Sequence, residues 1–336
     1  MEVLVIDIGG SKIKVEYFYH GKGLNVCSQI KTPKNFVDFQ EWFTAVIKEM
    51  KIDFHLGGAD FCLDGIVFAI PGVVENHEQI VFCPNTRLFN DFNLKKWCEK
   101  TFKASCLLVN DIEAAIAGEM HSGALKGVRN AIMDTISTGW GGGEIREGRI
   151  YPGEPGHIYV AEAEDLLCGC GRKGCAEAFY SGGAVRKRVS EYVLEACERA
   201  QEFEIAELKD SWNSTIDGLD PCAYLDQAAK KRKIWAIELY QEIGYGIGRI
   251  WASRLNCSSA TERIVYTGRF ALKGMPFMID HVRTALHKRL VFKHHKNALI
   301  QEMTGDKESL IFRSQTWPES ALIGGAILFE QIKEAK

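Results

Sequence analysis

Short apolar runs that end in glycine turns set the pattern at the start of the chain. Residues 3–6 are all apolar, as in a strand buried on both faces, and residues 7–12 predict a tight glycine turn. Ile13, Val15 and Tyr17 then alternate with polar residues, which predicts a second strand with one solvated face. The first residues therefore predict a strand, a turn and a second strand.

The same pattern returns near residue 131. Residues 131–136 predict a strand, residues 137–143 predict a glycine turn, and residues 144–150 predict renewed extended structure. A repeated supersecondary unit is typical of a duplicated fold. The sequence thus predicts a two-lobed α/β protein in which both turns face one nucleotide from opposite sides.

Further helices and strands lie around this repeat. Helical periodicity predicts helices at residues 38–50, 112–120, 183–204, 233–255 and from 318–320 onward. Buried strands are predicted at residues 65–70, 107–109 and 263–267. From these elements we expect an N-terminal lobe of residues 1–109, joined by the C-terminal helix 320–336, and a larger lobe of residues 110–319.

Composition narrows the class of protein. The chain has 336 residues, of which 46% are hydrophobic, and its net charge of −3 gives no general attraction to nucleic acid. Apolar runs are strand-sized, which disfavours a membrane span, and the first residues lack a basic region typical of an export signal. The 11 cysteines are odd in number and mostly isolated, so we expect reduced thiols in the cytoplasm.

The two glycine turns are candidates for phosphate binding. Glycine lets the backbone approach a polyphosphate closely and leaves amide donors accessible. Ser11 and Thr138 add hydroxyls, Lys12 adds a cation, and Asp7 could hold Mg²⁺ through water. Ordinary hairpin turns are the alternative, but the repetition favours phosphate binding.

Asn110 and Asp111 allow two interpretations. Asn110 with Glu113 forms a helix capping box, which by itself explains the pair and is the commoner role. Alternatively, Asp111 is a general base that accepts the proton of a substrate hydroxyl during phosphoryl transfer. The two roles are compatible.

A cluster of thiols forms the strongest metal signal. Cys168, Cys170 and Cys175 lie within eight residues, and His157 lies eleven residues upstream. These four ligands would fill every position of a tetrahedral zinc site, which therefore shapes a pocket and does not activate water. Reduced thiols without a metal are the alternative.

Two glutamates flank this cluster. Glu154 precedes His157, and Glu177 follows Cys175. Carboxylates accept paired hydrogen bonds from vicinal hydroxyls, as sugar recognition requires, although a surface ion pair is the commoner role for glutamate. The basic run at residues 283–296 contains interspersed apolar residues and predicts a solvated helix face.

Together these motifs resemble those of the ROK family of bacterial sugar kinases and repressors. Residues 168–177 match the family signature Cys-x-Cys-Gly-x-x-Gly-Cys-x-Glu at every fixed position, and residues 154–157 resemble its Glu-x-Gly-His element. The two glycine turns and the Asn110-Asp111 pair resemble its phosphate and catalytic motifs. The resemblance extends from residue 1 to the last helix.

This resemblance implies a duplicated actin-like ATPase (ribonuclease H-like) fold, with two lobes and a cleft between them. It implies an ATP-, Mg²⁺- and Zn²⁺-dependent sugar kinase that is homodimeric, with Asp111 as the base and zinc held by His157, Cys168, Cys170 and Cys175. The implied sugar ligands are Asn85, Asn110, Glu154, His157 and Glu177. The implied nucleotide-site residues are Asp7, Gly9, Gly10, Ser11, Lys12, Thr138, Gly139, Gly141 and Gly268.

The chain departs from the family pattern at three places. The loop before Glu154 is short, Ile112 and Glu113 replace a small residue and an asparagine, and Arg269 stands where a second glycine is usual. A sugar-responsive regulator or a sugar-binding protein without catalysis is the alternative function. A regulator would add an N-terminal helix-turn-helix, whereas the first strand is expected at residue 2 or 3.

Overall fold

The computed structural model describes residues 1–9, 12–56, 63–83, 87–89, 92–199, 220–304 and 310–335. The chain divides into two compact units. One comprises Met1–Gly127, Ile150–Pro152 and Gln315–Lys336, and the other comprises Val128–Arg149 and Gly153–Ser314.

The first unit is built on a five-stranded sheet. Its strands are β1 (Glu2–Ile8), β2 (Lys12–Tyr19), β3 (Lys22–Lys31), β4 (Gly65–Ile70) and β7 (Ser105–Asn110), in the order β3-β2-β1-β4-β7. A small separate sheet pairs β5 (Val73–Glu75) with β6 (Gln79–Phe82). All six residues of β4 are buried, as expected of a continuous apolar run in the centre of a sheet.

Four helices belong to this unit: α1 (Phe36–Leu56), α2 (Leu94–Phe102), α3 (Asp111–Ser122) and α10 (Ser320–Glu334). Helix α3 packs through Ala114 and Ala117 against Leu322 and Ala326 of α10. The buried Glu119 of α3 also accepts hydrogen bonds from the backbone N–H groups that precede α10. These contacts place α3 in the first unit, whose first segment is Met1–Gly127.

The second sheet repeats the first in strand order. Its strands are β8 (Ala131–Ile136), β9 (Trp140–Arg146), β10 (Arg149–Gly153), β11 (Arg263–Thr267) and β12 (Ile311–Arg313), in the order β10-β9-β8-β11-β12. In both sheets an antiparallel hairpin is followed along the chain by parallel strands. Strand β1 pairs with β2 in antiparallel and with β4 in parallel orientation, and β8 pairs in the same way with β9 and β11. The predicted duplication is confirmed.

Among the described residues, six α-helices accompany the second sheet. They are α4 (Glu177–Tyr180), α5 (Gly182–Arg199), α6 (Pro221–Lys230), α7 (Ile234–Cys257), α8 (Arg269–Arg289) and α9 (Lys293–Thr304). The core contains Tyr240, Ile247 and Trp251 of α7 together with Met278 and Val282 of α8. In the described part of the chain, no helix is both long and apolar enough to cross a membrane.

The second glycine turn is shorter than predicted. The turn occupies residues 137–139, and Gly141, Gly142 and Gly143 lie in β9, paired with β8. A side chain at position 142 would collide with the Asp134 carboxylate, so glycine here serves close packing inside the sheet. The predicted extended segment 144–150 also contains a turn, with Glu147 and Gly148 at positive φ.

A buried carboxylate organises this sheet. Asp134 of β8 is fully buried and accepts hydrogen bonds from the indole N–H groups of Trp140 at 3.0 Å and Trp251 at 2.9 Å. Arg254 of α7 forms an ion pair with the same carboxylate and donates to Gly143 O at 3.0 Å. The Asp134 carboxylate thus binds Trp140 of β9 and both Trp251 and Arg254 of α7. These bonds join β8, β9 and α7.

We expect Asp134→Ala to lower the free energy of unfolding by about 3–5 kcal/mol, because it leaves a buried guanidinium and two indoles without their acceptor. Glu144→Ala is the matched control, since Glu144 is partly exposed and lies 3.5 Å from the same Arg254. The control should cost less than about 1 kcal/mol. Urea midpoints for both variants provide the test, and equal midpoints would contradict the expectation.

Candidate active site and metal centre

The first glycine turn closes as a tight hairpin between β1 and β2. Gly9 N donates to Lys12 O at 2.8 Å, and Thr32 Oγ1 donates to Gly9 O at 2.6 Å. Lys12 is exposed at the start of β2. The predicted site residues Gly10 and Ser11 lie outside the described residues. The turn therefore has the compact backbone and the available cation that the phosphate hypothesis requires.

Asp7 lies near the end of β1, two residues before this turn. Burial raises its pKa from the ordinary value to about 6, and the positive charge of Lys14 opposes the rise. A desolvated carboxylate at the end of a strand is suited to a hydrated cation, which would restore the charge balance.

The second turn rests on the beginning of α5. Ser137 O accepts from Gly182 N at 2.7 Å, and Thr138 O accepts from Gly183 N at 2.9 Å. Gly268, the residue before α8, has φ +90 and packs on Ile136 O. Sequence reasoning did not identify Gly182 and Gly183, although a Gly-Gly pair at a helix start was the available signal.

The Asn110–Asp111 pair begins helix α3. Asn110 Oδ1 accepts from Ile112 N at 2.9 Å and Glu113 N at 3.0 Å, which confirms the capping interpretation. Asn110 Nδ2 donates to Gly72 O at 2.7 Å, so one amide hydrogen remains for a ligand. Asp111 is the first helical residue, and its Oδ1 lies 2.9 Å from Ile112 N. The helix start thus fixes the position of the candidate base.

Glu113 has a partner that sequence reasoning missed. His77 Nε2 lies 3.8 Å from Glu113 Oε1, and His77 Nδ1 lies 3.1 Å from Leu108 O. Burial raises the pKa of Glu113, while His77 and the Asn110 N–H oppose the rise. The pair supports the cap from the side of the β5–β6 hairpin. No local signal links His77 to Glu113, because the residues are far apart in sequence.

The four predicted zinc ligands converge. One ligand atom from each of His157, Cys168, Cys170 and Cys175 lies within 4.8 Å of all the others. The Cys170 and Cys175 sulfurs are 3.7 Å apart, and Cys168 Sγ is 3.7 Å from His157 Nδ1. A tetrahedral zinc site with Zn–S bonds of about 2.3 Å has ligand–ligand edges of about 3.8 Å, so the donor set fits zinc.

The electrostatics of the thiols also suit a cation. Burial raises the pKa of Cys168 to about 12. Burial also opposes ionisation of Cys170, but hydrogen bonds from Arg172 and the neighbouring thiols bring its pKa down to about 7. One thiolate therefore forms readily, whereas the buried Cys168 would ionise when a cation binds.

Glu154 and Glu177 differ in the contacts of their carboxylates. Glu177 Oε2 accepts from Trp140 N at 2.8 Å, and Glu177 Oε1 lies 3.5 Å from Cys168 Sγ. Glu154 is exposed as a residue, yet burial of its carboxyl raises its pKa; His157 opposes the rise and Glu177 adds to it. Both carboxylates thus adjoin the metal cluster, as predicted from their flanking positions.

Residues 154–177, which contain the four candidate metal ligands and the two glutamates, are called the metal loop. Arg249 of α7 joins this loop to the helix α4 that follows it. Its guanidinium forms an ion pair with Glu162, between His157 and Cys168, and donates to Tyr180 OH at 2.9 Å. Tyr180 belongs to α4, which begins at Glu177. Sequence reasoning missed this residue, because only the folded chain brings α7 to the loop.

The predicted site residues are distributed over both compact units. The first unit contains Asp7, Gly9, Lys12, Asn110 and Asp111. The second contains Thr138, Gly139, Gly141, Glu154, His157, Cys168, Cys170, Cys175, Glu177 and Gly268. Gly141 lies within β9, opposite Thr135, and Asn85 lies outside the described residues.

Comparison with known proteins decides the family. The ROK family model matches residues 3–319, nearly the whole chain. The chain belongs to the ROK family. Because ROK kinases share the duplicated actin-like ATPase fold, this membership and the repeated sheets confirm the fold expected from the motifs.

ROK proteins of several functions are similar to this chain. A glucokinase from Halalkalibacterium halodurans is 27% identical over 278 residues, which cover 80% of each protein. An N-acetylmannosamine kinase from Haemophilus influenzae is 31% identical over 61% of this chain and 67% of its own length. A xylose repressor from Bacillus spizizenii is 34% identical over 68% of this chain but only 54% of the repressor.

Solved ROK structures have the same fold. The crystal structure of a ROK family glucokinase from Streptomyces griseus, in complex with glucose and AMPPNP, superimposes with a TM-score of 0.74 at 22% identity. The match covers 98% of this chain and 99% of the glucokinase. The similarity extends over both compact units.

Proposed function

We propose that this ROK protein transfers the terminal phosphoryl group of ATP to a primary hydroxyl of a hexose or amino sugar. The chain is a sugar kinase, as its similarity to glucokinase and N-acetylmannosamine kinase supports. The proposal of a sugar acceptor and an ATP donor rests on one observation. The cluster of candidate metal ligands has two adjoining carboxylates, of which Glu177 is hydrogen-bonded to Trp140, the residue after the second glycine turn.

On the donor side, the two glycine turns would bind the phosphates. Backbone N–H groups of Thr138 and Gly139 would face the phosphate oxygens, with Lys12 and the hydroxyl of Ser11 beside them. Gly9, whose own N–H is bonded to Lys12 O, would let the phosphates approach the backbone closely. Gly10, Gly141 and Gly268 would complete the nucleotide site. Mg²⁺, held by Asp7 through water, would neutralise charge on the phosphates.

On the acceptor side, carboxylates and amides would bind the sugar hydroxyls. Glu154 and Glu177 have lone pairs that remain available after their protein contacts, and Asn110 retains one amide hydrogen. Asn85 and the second nitrogen of His157 would add contacts. Zinc held by His157, Cys168, Cys170 and Cys175 would fix the loop that presents these groups.

Asp111 would act as the general base. Its carboxylate would accept the proton of the sugar hydroxyl as the hydroxyl oxygen bonds to the γ-phosphorus and the bond to the ADP oxygen breaks. The start of α3 supports this role, because the contact of Asp111 Oδ1 with Ile112 N restricts the position of the carboxylate. Exclusion of water from the bound substrates would prevent hydrolysis of ATP.

A coupled assay of ADP release tests this function. Purified protein with Mg²⁺ and ATP would be supplied with a panel of glucose, mannose, N-acetylglucosamine and N-acetylmannosamine. We expect one or two of these sugars to give a rate well above the rate without sugar. Direct detection of sugar phosphate with polyphosphate in place of ATP, a reaction that releases no ADP, identifies the donor. Sugar binding by calorimetry without any ADP release would instead support the sugar-binding or regulatory alternative, for which the xylose repressor is the relevant relative.

The proposal extends to cell location and assembly. The described cysteines are free thiols, which is consistent with a reducing cytoplasm. We propose a homodimer, as the resemblance implies, with the sugar and ATP as the small-molecule partners.

A further inference from the structure

Trp140 contacts both halves of the metal loop through its backbone. Its N–H donates to Glu177 Oε2 at 2.8 Å, two residues after the ligand Cys175. Its carbonyl packs on Gly156, one residue before the ligand His157, so closely that a side chain at position 156 would collide with it. The metal loop therefore encloses the Trp140 backbone from two sides.

The carboxylate that binds Trp140 is shared with the metal cluster. Glu177 Oε1 lies 3.5 Å from Cys168 Sγ, while Glu177 Oε2 accepts the Trp140 N–H. A displacement of Cys168 would change the surroundings of Glu177 Oε1. It would consequently shift Glu177 Oε2, which binds Trp140. Glu177 therefore connects the metal ligand Cys168 to the first residue of β9.

Trp140 cannot move independently of the sheet. Its side chain is 1% exposed, and its indole N–H donates to the buried Asp134 at 3.0 Å. The main chain next to it is equally constrained, because a side chain at Gly139 would lie 2.7 Å from Glu177 Oε2. Any change transmitted by Glu177 would thus act on residues 139 and 140 together.

Gly139 is the last residue of the second glycine turn, and Trp140 is the first residue after it. Ser137 N donates to Gly139 O at 2.9 Å, and the Ser137 and Thr138 carbonyls accept from the start of α5. Residues 137–139 are therefore fixed on one side by α5 and on the other by Glu177 and Gly156. The turn and the metal loop form a continuous chain of short contacts within one compact unit.

We propose that Trp140 is a positioning residue through which the metal centre sets the shape of the phosphate-binding turn, so that zinc and nucleotide bind cooperatively. The inference rests on the proposed function, since it requires that the turn bind nucleotide phosphates. A phosphate site depends on the directions of its N–H groups, and small displacements weaken it. Since coupling between two ligands is reciprocal, the nucleotide must strengthen zinc binding by the same factor.

The experiment measures this coupling without any turnover. ADP with Mg²⁺ is titrated calorimetrically into the full chain without sugar, once with zinc bound and once after removal of zinc by a chelator. We expect ADP affinity to fall about five- to tenfold when zinc is removed, within the range typical of coupled sites. Circular dichroism establishes that the metal-free protein remains folded.

A second measurement starts from the zinc-loaded protein. Zinc affinity is measured by equilibrium competition with a chromophoric chelator, with and without saturating ADP, and ADP should raise it by the same factor. Equal zinc affinities with and without ADP would overturn the inference.

Two variants test whether Trp140 transmits the coupling between zinc and ADP, and a third variant is the control. Glu177→Ala removes the hydrogen bond to Trp140, and Gly156→Ala displaces the Trp140 carbonyl; both should bring the coupling factor close to one. Glu164→Ala is the matched control, because Glu164 is an exposed glutamate between the ligands His157 and Cys168 and has no proposed role at the metal, the sugar or the turn. Its coupling factor should stay at the wild-type value.

The outcomes separate this inference from the function on which it rests. If the zinc-loaded protein binds ADP and the affinity is independent of zinc, the coupling is refuted while the kinase proposal stands. If the zinc-loaded protein binds neither ADP nor ATP, the proposed donor site is refuted, and the inference fails with it. Coupling that persists in both Glu177→Ala and Gly156→Ala would exclude Trp140 as the path.

Discussion

Asp111→Asn should lower the rate of sugar phosphorylation at least about a thousandfold, within the range expected for loss of a general base. Asparagine is nearly isosteric and can keep the contact of Asp111 Oδ1 with Ile112 N, so the start of α3 should remain intact. Because the amide cannot accept the proton, the sugar hydroxyl would have to attack phosphorus without assistance. The measurement is kcat by coupled ADP release.

Binding measurements distinguish lost chemistry from lost structure. The Asp111→Asn protein should bind ATP and sugar within about threefold of the wild type, since uniform binding and transition-state stabilisation are separate quantities. Asp280→Asn is the control, because Asp280 is an exposed aspartate on α8 paired only with Arg283 three residues on. Near-normal kcat in Asp111→Asn would remove Asp111 from the mechanism.

Removal of zinc is expected to weaken sugar binding at least about tenfold, as loss of groups that orient ligands commonly does. Without the cation the three thiols and the imidazole would no longer be held together, because a neutral thiol such as that of Cys168, which then donates to Glu177 Oε1, forms only weak hydrogen bonds. Glu154 and Glu177 would then lose their fixed spacing. The measurement is calorimetric titration of the sugar, with zinc content determined by atomic absorption.

Substitution provides an independent route to the same state. Cys170→Ser should reproduce the effect of the chelator, and added zinc should restore sugar affinity only in the chelated wild type. Cys257→Ser is the control, since Cys257 is an exposed free thiol outside the cluster. Full sugar affinity in a folded protein shown to lack zinc would contradict the proposed role of the metal.

Periodicity predicted most of the fold correctly because the repeated unit is local. The strand, glycine turn and strand at residues 131–146 lie within sixteen consecutive positions and resemble those at residues 2–19. The cap of α3 was also predictable, since Asn110 and Glu113 are one helical turn apart. The cluster of His157 with three cysteines was predictable because the three cysteines lie within eight residues.

Boundaries within the glycine turns were less predictable. The run Gly141-Gly142-Gly143 reads as a turn, because glycine is rare in strand interiors. In the structure these residues pair with β8 in regular register. Only the tertiary structure shows the reason, which is the buried Asp134 carboxylate occupying the space beside Gly142.

The sequence by itself determined the duplicated α/β architecture, the metal-ligand set and the helix cap, because each arises from residues close together in the chain. The tertiary structure alone decided the contacts that join these parts. Arg254 is 120 residues from Asp134, Gln315 is 196 residues from Glu119, and Trp140 is 37 residues from Glu177. Hydrogen bonds of this kind depend on how whole helices and strands pack. Local periodicity therefore does not predict which distant donor will face a buried carboxylate.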